Sequence, residues 1–318
     1  MLLPLLLLCS PAASPALTAA PRRSFVLGSS CGALLAGAAG RRAAARERAA
    51  SALRSSVAAA VADDPALAGT LLRLAFHDAT RRDGARGGAD GSIRFELADA
   101  ENVRLGPPLA RVLELRRPVA ADLSVADAVA VAGAAAVEAA GGPAIRIGLG
   151  RRDAAKATPP TLRRKIERPG DESRDVVTAT MPQPGLSTVG VRRYFRRPGL
   201  ALSDQEIVAL MGAHTLGRHN SLLNMTKGCL RNLTRECLEA APVRLPFANP
   251  DPDRFSSTYF RRLLEWDARQ LERGDANLIP TDVTLVLDPG FRRHVEAFAR
   301  SEPLFRACFA RAYAKLVR

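Results

Sequence analysis

The stretch LLRLAFHDATR, residues 71–81, places an arginine and a histidine in an otherwise apolar helical pattern. Arg73 and His77 are four residues apart, so at 3.6 residues per turn they project from the same face, one turn apart. Leu, Ala and Phe occupy the positions around them. A guanidinium and an imidazole on such a face indicate either a solvated surface or a charged partner that lies opposite them.

The composition predicts a helical protein with a basic surface. The 318 residues are 47% hydrophobic and only 5% aromatic, and alanine dominates the apolar fraction, which favours packed helices over sheets. The formal net charge of +14 attracts anions in general. Arginine pairs are scattered along the chain without an aromatic–basic motif, so we expect no nucleic-acid partner.

Helical periodicity covers most of the chain, and no segment alternates convincingly enough to predict a sheet. The predicted helices span 42–62, 66–82, 108–117, 123–140, 188–197, 203–217, 256–273, 281–287, 290–299 and 301–316. Residues 150–186 are rich in Pro, Arg, Lys and Thr, which predicts a long surface connection. We therefore predict an all-α protein in which this connection divides an N-terminal lobe from a C-terminal lobe.

A second histidine lies in an equally apolar helix, LSDQEIVALMGAHTLG, residues 202–217. Ser203 and Glu206 have the spacing of a capping box, and His214 comes near the end of the apolar run. A lone histidine on such a face is usually a hydrogen-bonded core residue. Two such histidines, one with an arginine a turn away, favour a functional site, because a buried imidazole must be hydrogen-bonded or bind a metal. The cysteines offer no CxxC for zinc, whereas haem iron needs one imidazole ligand and leaves its other side open for chemistry.

Five motifs now carry a resemblance. They are LLRLAFHDA (71–79), GGADGSIRFELADAEN (87–102), VAGAAAVEAAGGP (131–143), LSDQEIVALMGAHTLG (202–217) and the C-terminal LIPTDVTLVLDPGFRRHVEAFARSEPLFRACFARAYAKL (278–316). In this order, residues 66–318 resemble a plant-type haem peroxidase of the class I branch, which contains the ascorbate peroxidases and their plastid relatives. The resemblance implies about ten helices in two lobes with haem b between them.

The resemblance also implies roles on the distal side of the haem. His77 aligns with the base that takes a proton from hydrogen peroxide and returns it to the departing oxygen. Arg73 aligns with the arginine that stabilises negative charge as the O–O bond breaks. Asn102, six residues after Glu96, aligns with the asparagine that orients the distal imidazole.

On the proximal side, His214 aligns with the iron ligand. Asp282 aligns with the buried carboxylate that accepts the other N–H of this histidine and makes it a stronger electron donor. Thr215 and Asn249 fall at a site where the family holds K⁺ or Ca²⁺, although Ser256 stands where that site usually has an aspartate.

Three departures concern the aromatic residues and the reductant. Phe76 occupies a position where ascorbate peroxidases carry tryptophan, and Phe247 (or Pro246) is nearest to the proximal tryptophan, because the only tryptophan of the chain is Trp266. Leu223 stands where the family has the arginine that binds ascorbate. These departures resemble the ascorbate-peroxidase-related plastid subgroup and leave the reductant open.

The N-terminus predicts a targeting segment over residues 1–40. A short apolar run, too short to span a bilayer, precedes Arg22-Arg23 and a weakly hydrophobic stretch, which is typical of a twin-arginine signal. We expect a plastid protein of the thylakoid lumen, with secretion as the alternative, and no stable membrane insertion of the mature chain. Cys229 and Cys237 pair only if the compartment is oxidising.

The sequence therefore predicts a haem peroxidase that reduces hydrogen peroxide with a small one-electron donor. The predicted organisation is a targeting segment (1–40), a distal lobe (41–150) and a proximal lobe with the C-terminal helices (151–318). The alternative is a peroxidase-derived protein that binds haem or serves a structural role in the thylakoid lumen without catalysis. A catalase-peroxidase is disfavoured, because those chains are about twice as long and use a distal Trp linked to Tyr and Met.

Overall fold

A computed structural model describes residues 29–80, 88–157, 187–220, 244–247, 249–267 and 278–318. The α-helices in these ranges are α1 (Ser29–Asp63), α2 (Leu67–Thr80), α3 (Gly106–Arg116), α4 (Val125–Ala139), α5 (Thr188–Arg196), α6 (Asp204–Met211), α7 (Thr258–Leu264), α8 (Pro280–Leu287), α9 (Pro289–Arg300) and α10 (Glu302–Leu316). The predicted all-α class is confirmed.

The chain forms two compact units, Met1–Arg41 and Arg42–Arg318. The first is described only from Ser29 onward, where it is helical. The second holds the hydrophobic core, in which α4 is buried along almost its whole length and packs against α2. None of the helices in the described part of the chain has the length and apolar character needed to cross a lipid bilayer.

Helix caps follow the sequence closely. The side chain of Ser124 accepts the backbone N–H of Asp127 at the start of α4, 3.0 Å away. Ser203 and Glu206 form the predicted capping box at the start of α6. Such caps satisfy N–H groups that have no partner within the helix, so they fix where each helix begins.

The structure differs from the predicted helix at 203–217. The α-helix ends at Met211, and residues Gly212–Thr215 continue as a 3₁₀ helix. Glycine at position 212 allows the Phe305 ring to pack directly against the backbone, because a Cβ there would lie 2.5 Å from the ring. His214 therefore sits on a tighter turn than periodicity alone predicts.

A small ribbon corrects the expectation that the chain has no sheet. Strand β1 (Arg218–Asn220) pairs antiparallel with β2 (Arg244–Pro246), with His219 opposite Leu245. Each strand has three residues, which is too short for an alternating pattern to be recognised in the sequence.

Two glycines bring α2 against the segment that follows His214. A Cβ on Gly69 would lie 2.6 Å from the Cα and 2.8 Å from the N of Gly217, so only glycine fits at residue 69. Gly217 itself has a φ of 86°, which favours glycine. Backbone thus meets backbone between the helix that carries Arg73 and His77 and the turn that carries His214.

The single tryptophan, Trp266, lies just beyond the end of α7. It is half-buried and packs against the hydrophobic core. Several residues singled out in the sequence, namely Arg22, Arg23, Leu223, Cys229, Cys237 and most of the connection (158–186), lie outside the described residues.

Candidate active site

His77, the predicted distal histidine, is hydrogen-bonded to an amide. His77 lies on α2 with 5% of its surface exposed, and its Nδ1 is 2.8 Å from Oδ1 of Asn102. Asn102 in turn donates from Nδ2 to the carbonyl of Glu96, also at 2.8 Å, which points the amide oxygen toward the imidazole. Since an amide oxygen can only accept, we assign the proton of the ring to Nδ1, which leaves Nε2 with a lone pair.

The same short segment also binds Arg73, the predicted distal arginine. The guanidinium of Arg73 donates to the carbonyl of Val103 at 2.9 Å and to that of Glu101 at 2.7 Å, the residues on either side of Asn102. One turn of backbone therefore positions both Arg73 and His77. Phe76 is half-buried between them in sequence, with its ring edge-on to His77 at a centroid distance of 6.2 Å.

Asp78 is a residue of this region that the sequence analysis did not identify. Its fully buried carboxyl accepts the backbone N–H groups of Asp90, Gly91 and Ile93 at 3.0, 2.9 and 3.2 Å. Burial raises the pKa of Asp78 to about 7. These bonds fix the turn that precedes Glu96 and Asn102, the residues that position His77. Its place directly after His77 was the only signal in the sequence.

His214, the predicted proximal histidine, is hydrogen-bonded to a carboxylate. Nδ1 of His214 is 2.7 Å from Oδ1 of Asp282, which lies in the first turn of α8. Asp282 is fully buried, whereas the His214 side chain is 24% exposed. The second oxygen of Asp282 accepts the N–H of Ile279 at 3.0 Å. With Nδ1 committed to this bond, Nε2 is the nitrogen that can bind a metal.

Two aromatic residues complete the proximal side. The Phe247 ring stacks on the His214 ring at 4.1 Å, with 7° between the planes. Tyr259, on α7, donates its O–H to Oδ1 of Asp282 at 2.7 Å. Burial, together with the neighbouring carboxylate, raises the pKa of Tyr259 well above its usual value. Sequence reasoning missed Tyr259, because no spacing relates it to Asp282, 23 residues away.

Thr215 and Asn249 come together, as the family's cation site implies, but an amide nitrogen lies at the centre. Nδ2 of Asn249 is 2.7 Å from the carbonyl and 3.1 Å from the hydroxyl of Thr215. It is also 2.5 Å from the carbonyl of Asp251 and 3.0 Å from that of Arg254. Ser256 donates its N–H to the Thr215 hydroxyl at 3.3 Å. Four oxygens therefore surround the Asn249 amide nitrogen, which has only two hydrogens to donate. A bound cation at this position stays a prediction.

The donor set fits haem. The imidazole of His214 has a free coordinating nitrogen and an anionic partner behind it, which suits iron in a high oxidation state. Across the described ranges, no cluster of three or more His, Cys, Asp or Glu side chains could hold a bare metal ion, and a haem iron needs only one such ligand. An all-α fold with an Arg–His–Asn set and a separate His–Asp pair defines the class of haem peroxidases.

Comparison with known proteins gives the family directly. The profile of the peroxidase family matches residues 53–301. The chain is 33% identical over 255 residues to "Probable L-ascorbate peroxidase 3, peroxisomal" of Oryza sativa subsp. japonica, covering 77% of this chain and 71% of the relative. It is also 33% identical over 253 residues to "L-ascorbate peroxidase 5, peroxisomal" of Arabidopsis thaliana, covering 77% and 74%. A protein of Cryptococcus neoformans var. neoformans serotype D, named "Putative heme-binding peroxidase", is 32% identical over 80% of this chain and 72% of its own. The chain belongs to the peroxidase family, in its plant-type class I branch, and is a haem peroxidase.

The predicted plastid location is wrong. Relatives from rice and Arabidopsis carry names of peroxisomal ascorbate peroxidases, which points away from a plastid or its thylakoid lumen. The expectation rested on Arg22-Arg23, and arginine pairs recur in this chain, for example at Arg41-Arg42, Arg116-Arg117 and Arg151-Arg152. In so arginine-rich a sequence, one more pair near the N-terminus carries little information.

Proposed function

We propose that the chain binds haem b through His214 and reduces hydrogen peroxide to water with two one-electron donors. One observation carries this proposal: Nδ1 of His77 and Nδ1 of His214 make hydrogen bonds of similar length to acceptors of different charge. His77 faces the neutral amide of Asn102 at 2.8 Å, and His214 faces the carboxylate of Asp282 at 2.7 Å. The first arrangement suits a base, and the second suits an electron-donating ligand.

On the distal side, His77 accepts a proton from hydrogen peroxide at Nε2 and returns it to the departing oxygen. Its ring does not turn during this exchange, because Asn102 and Glu96 hold Nδ1 in place. Arg73 is a permanent cation, and its two bonds to backbone carbonyls hold its charge near the same segment. Haem, when bound, supplies the iron that receives electrons and passes them to the peroxide.

The reductant is the less specific part of the proposal. Relatives are named ascorbate peroxidases, and the net charge of +14 favours an anionic small reductant such as ascorbate. The residue at the family's ascorbate-binding arginine is Leu223, which does not offer that contact. We therefore propose a small one-electron donor.

The proposed organisation keeps a distal lobe (41–150) and a proximal lobe with the C-terminal helices (151–318).

The alternative is a peroxidase-derived protein that binds haem or serves a structural role without catalysis. It is favoured by Phe76 and Phe247, which stand where classical ascorbate peroxidases carry tryptophan. It is disfavoured by the intact set of Arg73, His77 and Asn102, since a protein without catalysis has no need of a positioned base and cation.

Reconstitution with haem b tests the proposal. A Soret band that changes rapidly on adding hydrogen peroxide in a stopped-flow instrument is expected. The substitution His77→Leu should slow this change at least about a hundredfold, the usual contribution of general acid–base catalysis. The matched control is His294→Leu, which removes a half-buried histidine on α9 and should leave the rate unchanged. A Soret band that does not respond to peroxide would favour a non-catalytic haem-binding protein, and no Soret band at all would contradict haem binding and favour a structural role.

A further inference from the structure

Asp282 receives hydrogen bonds from three separate parts of the chain. Oδ1 lies 2.7 Å from Nδ1 of His214 and 2.7 Å from the hydroxyl of Tyr259. Oδ2 accepts the N–H of Ile279 at 3.0 Å. Asp282 and Tyr259 both have no exposed surface, so water does not screen these bonds. The tyrosine hydroxyl and the imidazole N–H therefore share a single carboxylate oxygen.

Sharing this oxygen weakens its pull on the histidine. A hydrogen bond donated to a carboxylate withdraws charge from it and makes it a poorer acceptor for a second donor. Phe247 stacks on His214 but has no hydrogen to donate, so it does not serve this purpose. Within the described residues, Tyr259 is the side chain other than His214 that donates to Asp282.

We infer that Tyr259 is a positioning residue that sets the electron-donating strength of His214 by hydrogen-bonding to Asp282. A carboxylate without the tyrosine bond would take more of the imidazole proton, and the more anionic ligand would stabilise ferric over ferrous iron. Tyr259 thereby raises the reduction potential of the bound haem. The inference rests on the proposed role of His214 as the iron ligand.

The first test compares two tyrosine substitutions in the haem-loaded protein. Tyr259→Phe removes the bond to Asp282, and Tyr313→Phe removes an equally buried hydroxyl that donates to the carbonyl of Ala130 on α4 at 2.9 Å. In Tyr259→Phe the ferric–ferrous midpoint potential should fall. The equilibrium constant for one-electron reduction of the haem should decrease roughly three- to tenfold, and a tenfold decrease corresponds to about 59 mV. The iron–histidine stretching frequency of the ferrous form should rise. Neither quantity should move in Tyr313→Phe.

The second test does not depend on removing a buried group. Replacing Tyr259 alone by 3-fluorotyrosine keeps its shape but makes the phenol more acidic and a stronger donor. The midpoint potential should then rise, opposite in sign to the effect of Tyr259→Phe. Because this replacement is nearly isosteric, it remains informative if Tyr259→Phe does not fold.

The outcomes separate the inference from the proposed function. A protein that forms no His214-dependent Soret band contradicts the proposed ligand. If haem binds and Tyr259→Phe leaves both the potential and the stretching frequency unchanged, the inference is overturned while the proposed function stands. Equal shifts in Tyr259→Phe and Tyr313→Phe would overturn it as well, because they would reflect general loosening of the core.

Discussion

The two histidine sites share their geometry and differ in charge. His77 and His214 each use Nδ1 to reach a buried acceptor within 2.8 Å, yet one acceptor is an amide and the other a carboxylate. They also differ in what holds the acceptor: one carbonyl orients Asn102, whereas a phenol and a backbone N–H converge on Asp282. Under the proposed roles, the side chain bonded to Nδ1 of each imidazole, an amide or a carboxylate, is what distinguishes the base from the ligand.

Asp282→Asn has the largest expected effect, because it makes the acceptors of both histidines neutral. The new amide cannot accept all three hydrogen bonds, so a buried donor loses its partner at a cost of about 1–3 kcal/mol. The rate of reaction with peroxide should fall roughly 10–100-fold, as is usual when a partner of a metal-binding histidine is lost. Stopped-flow rates and the midpoint potential measure this, and the potential should rise. Asp122→Asn, at an exposed position, is the control. A wild-type rate in Asp282→Asn would contradict the role assigned to the carboxylate.

Asn102→Asp reverses the comparison on the distal side. A carboxylate beside His77 stabilises its protonated form, which cannot accept a proton from peroxide. The acid limb of the pH–rate profile should therefore move upward by roughly one to three pH units. The control is Asn102→Ala, which removes the acceptor without adding charge and should lower the rate at every pH without moving the limb. An unshifted profile in Asn102→Asp would mean that His77 is not the base.

Gly69→Ala disturbs the backbone contact between α2 and the segment after His214 without changing the acceptor of either histidine. The new Cβ would press on the backbone of Gly217, which cannot move aside as a side chain can, and should destabilise the fold by about 1–3 kcal/mol. We expect a melting temperature lower by several degrees and weaker haem retention, with an unchanged pH–rate profile. Gly148→Ala is the matched control, since nothing lies within 4 Å of a Cβ there. Equal melting temperatures for the two variants would show that the contact is looser than the structure has it.

Local features of the fold could be predicted from the sequence. Every α-helix after α1 begins within two residues of a predicted segment, because apolar periodicity and caps such as Ser203 are written in neighbouring residues. The pairs His77–Asn102 and His214–Asp282 were also anticipated, although only through motifs of a known family. Their catalytic roles stay predictions.

Features that depend on distant contacts could not be predicted. The bond from Tyr259 to Asp282 joins two helices, and neither residue's neighbours encode it. The Gly69–Gly217 contact likewise joins segments that are far apart in the sequence. The tight turn at His214 depends on the ring of Phe305, which lies on the last helix and packs beside Gly212. In each case tertiary packing decides the structure, and periodicity is silent about it.

The position of Trp266 has an optical consequence. Because the chain has one tryptophan and tyrosine does not absorb at the red edge of the indole band, excitation there isolates the emission of a single indole. This indole is half-buried just after the helix that bears Tyr259. Porphyrins quench nearby indole fluorescence by energy transfer. Titrating haem into the apoprotein while recording the Trp266 emission therefore measures cofactor uptake without a label.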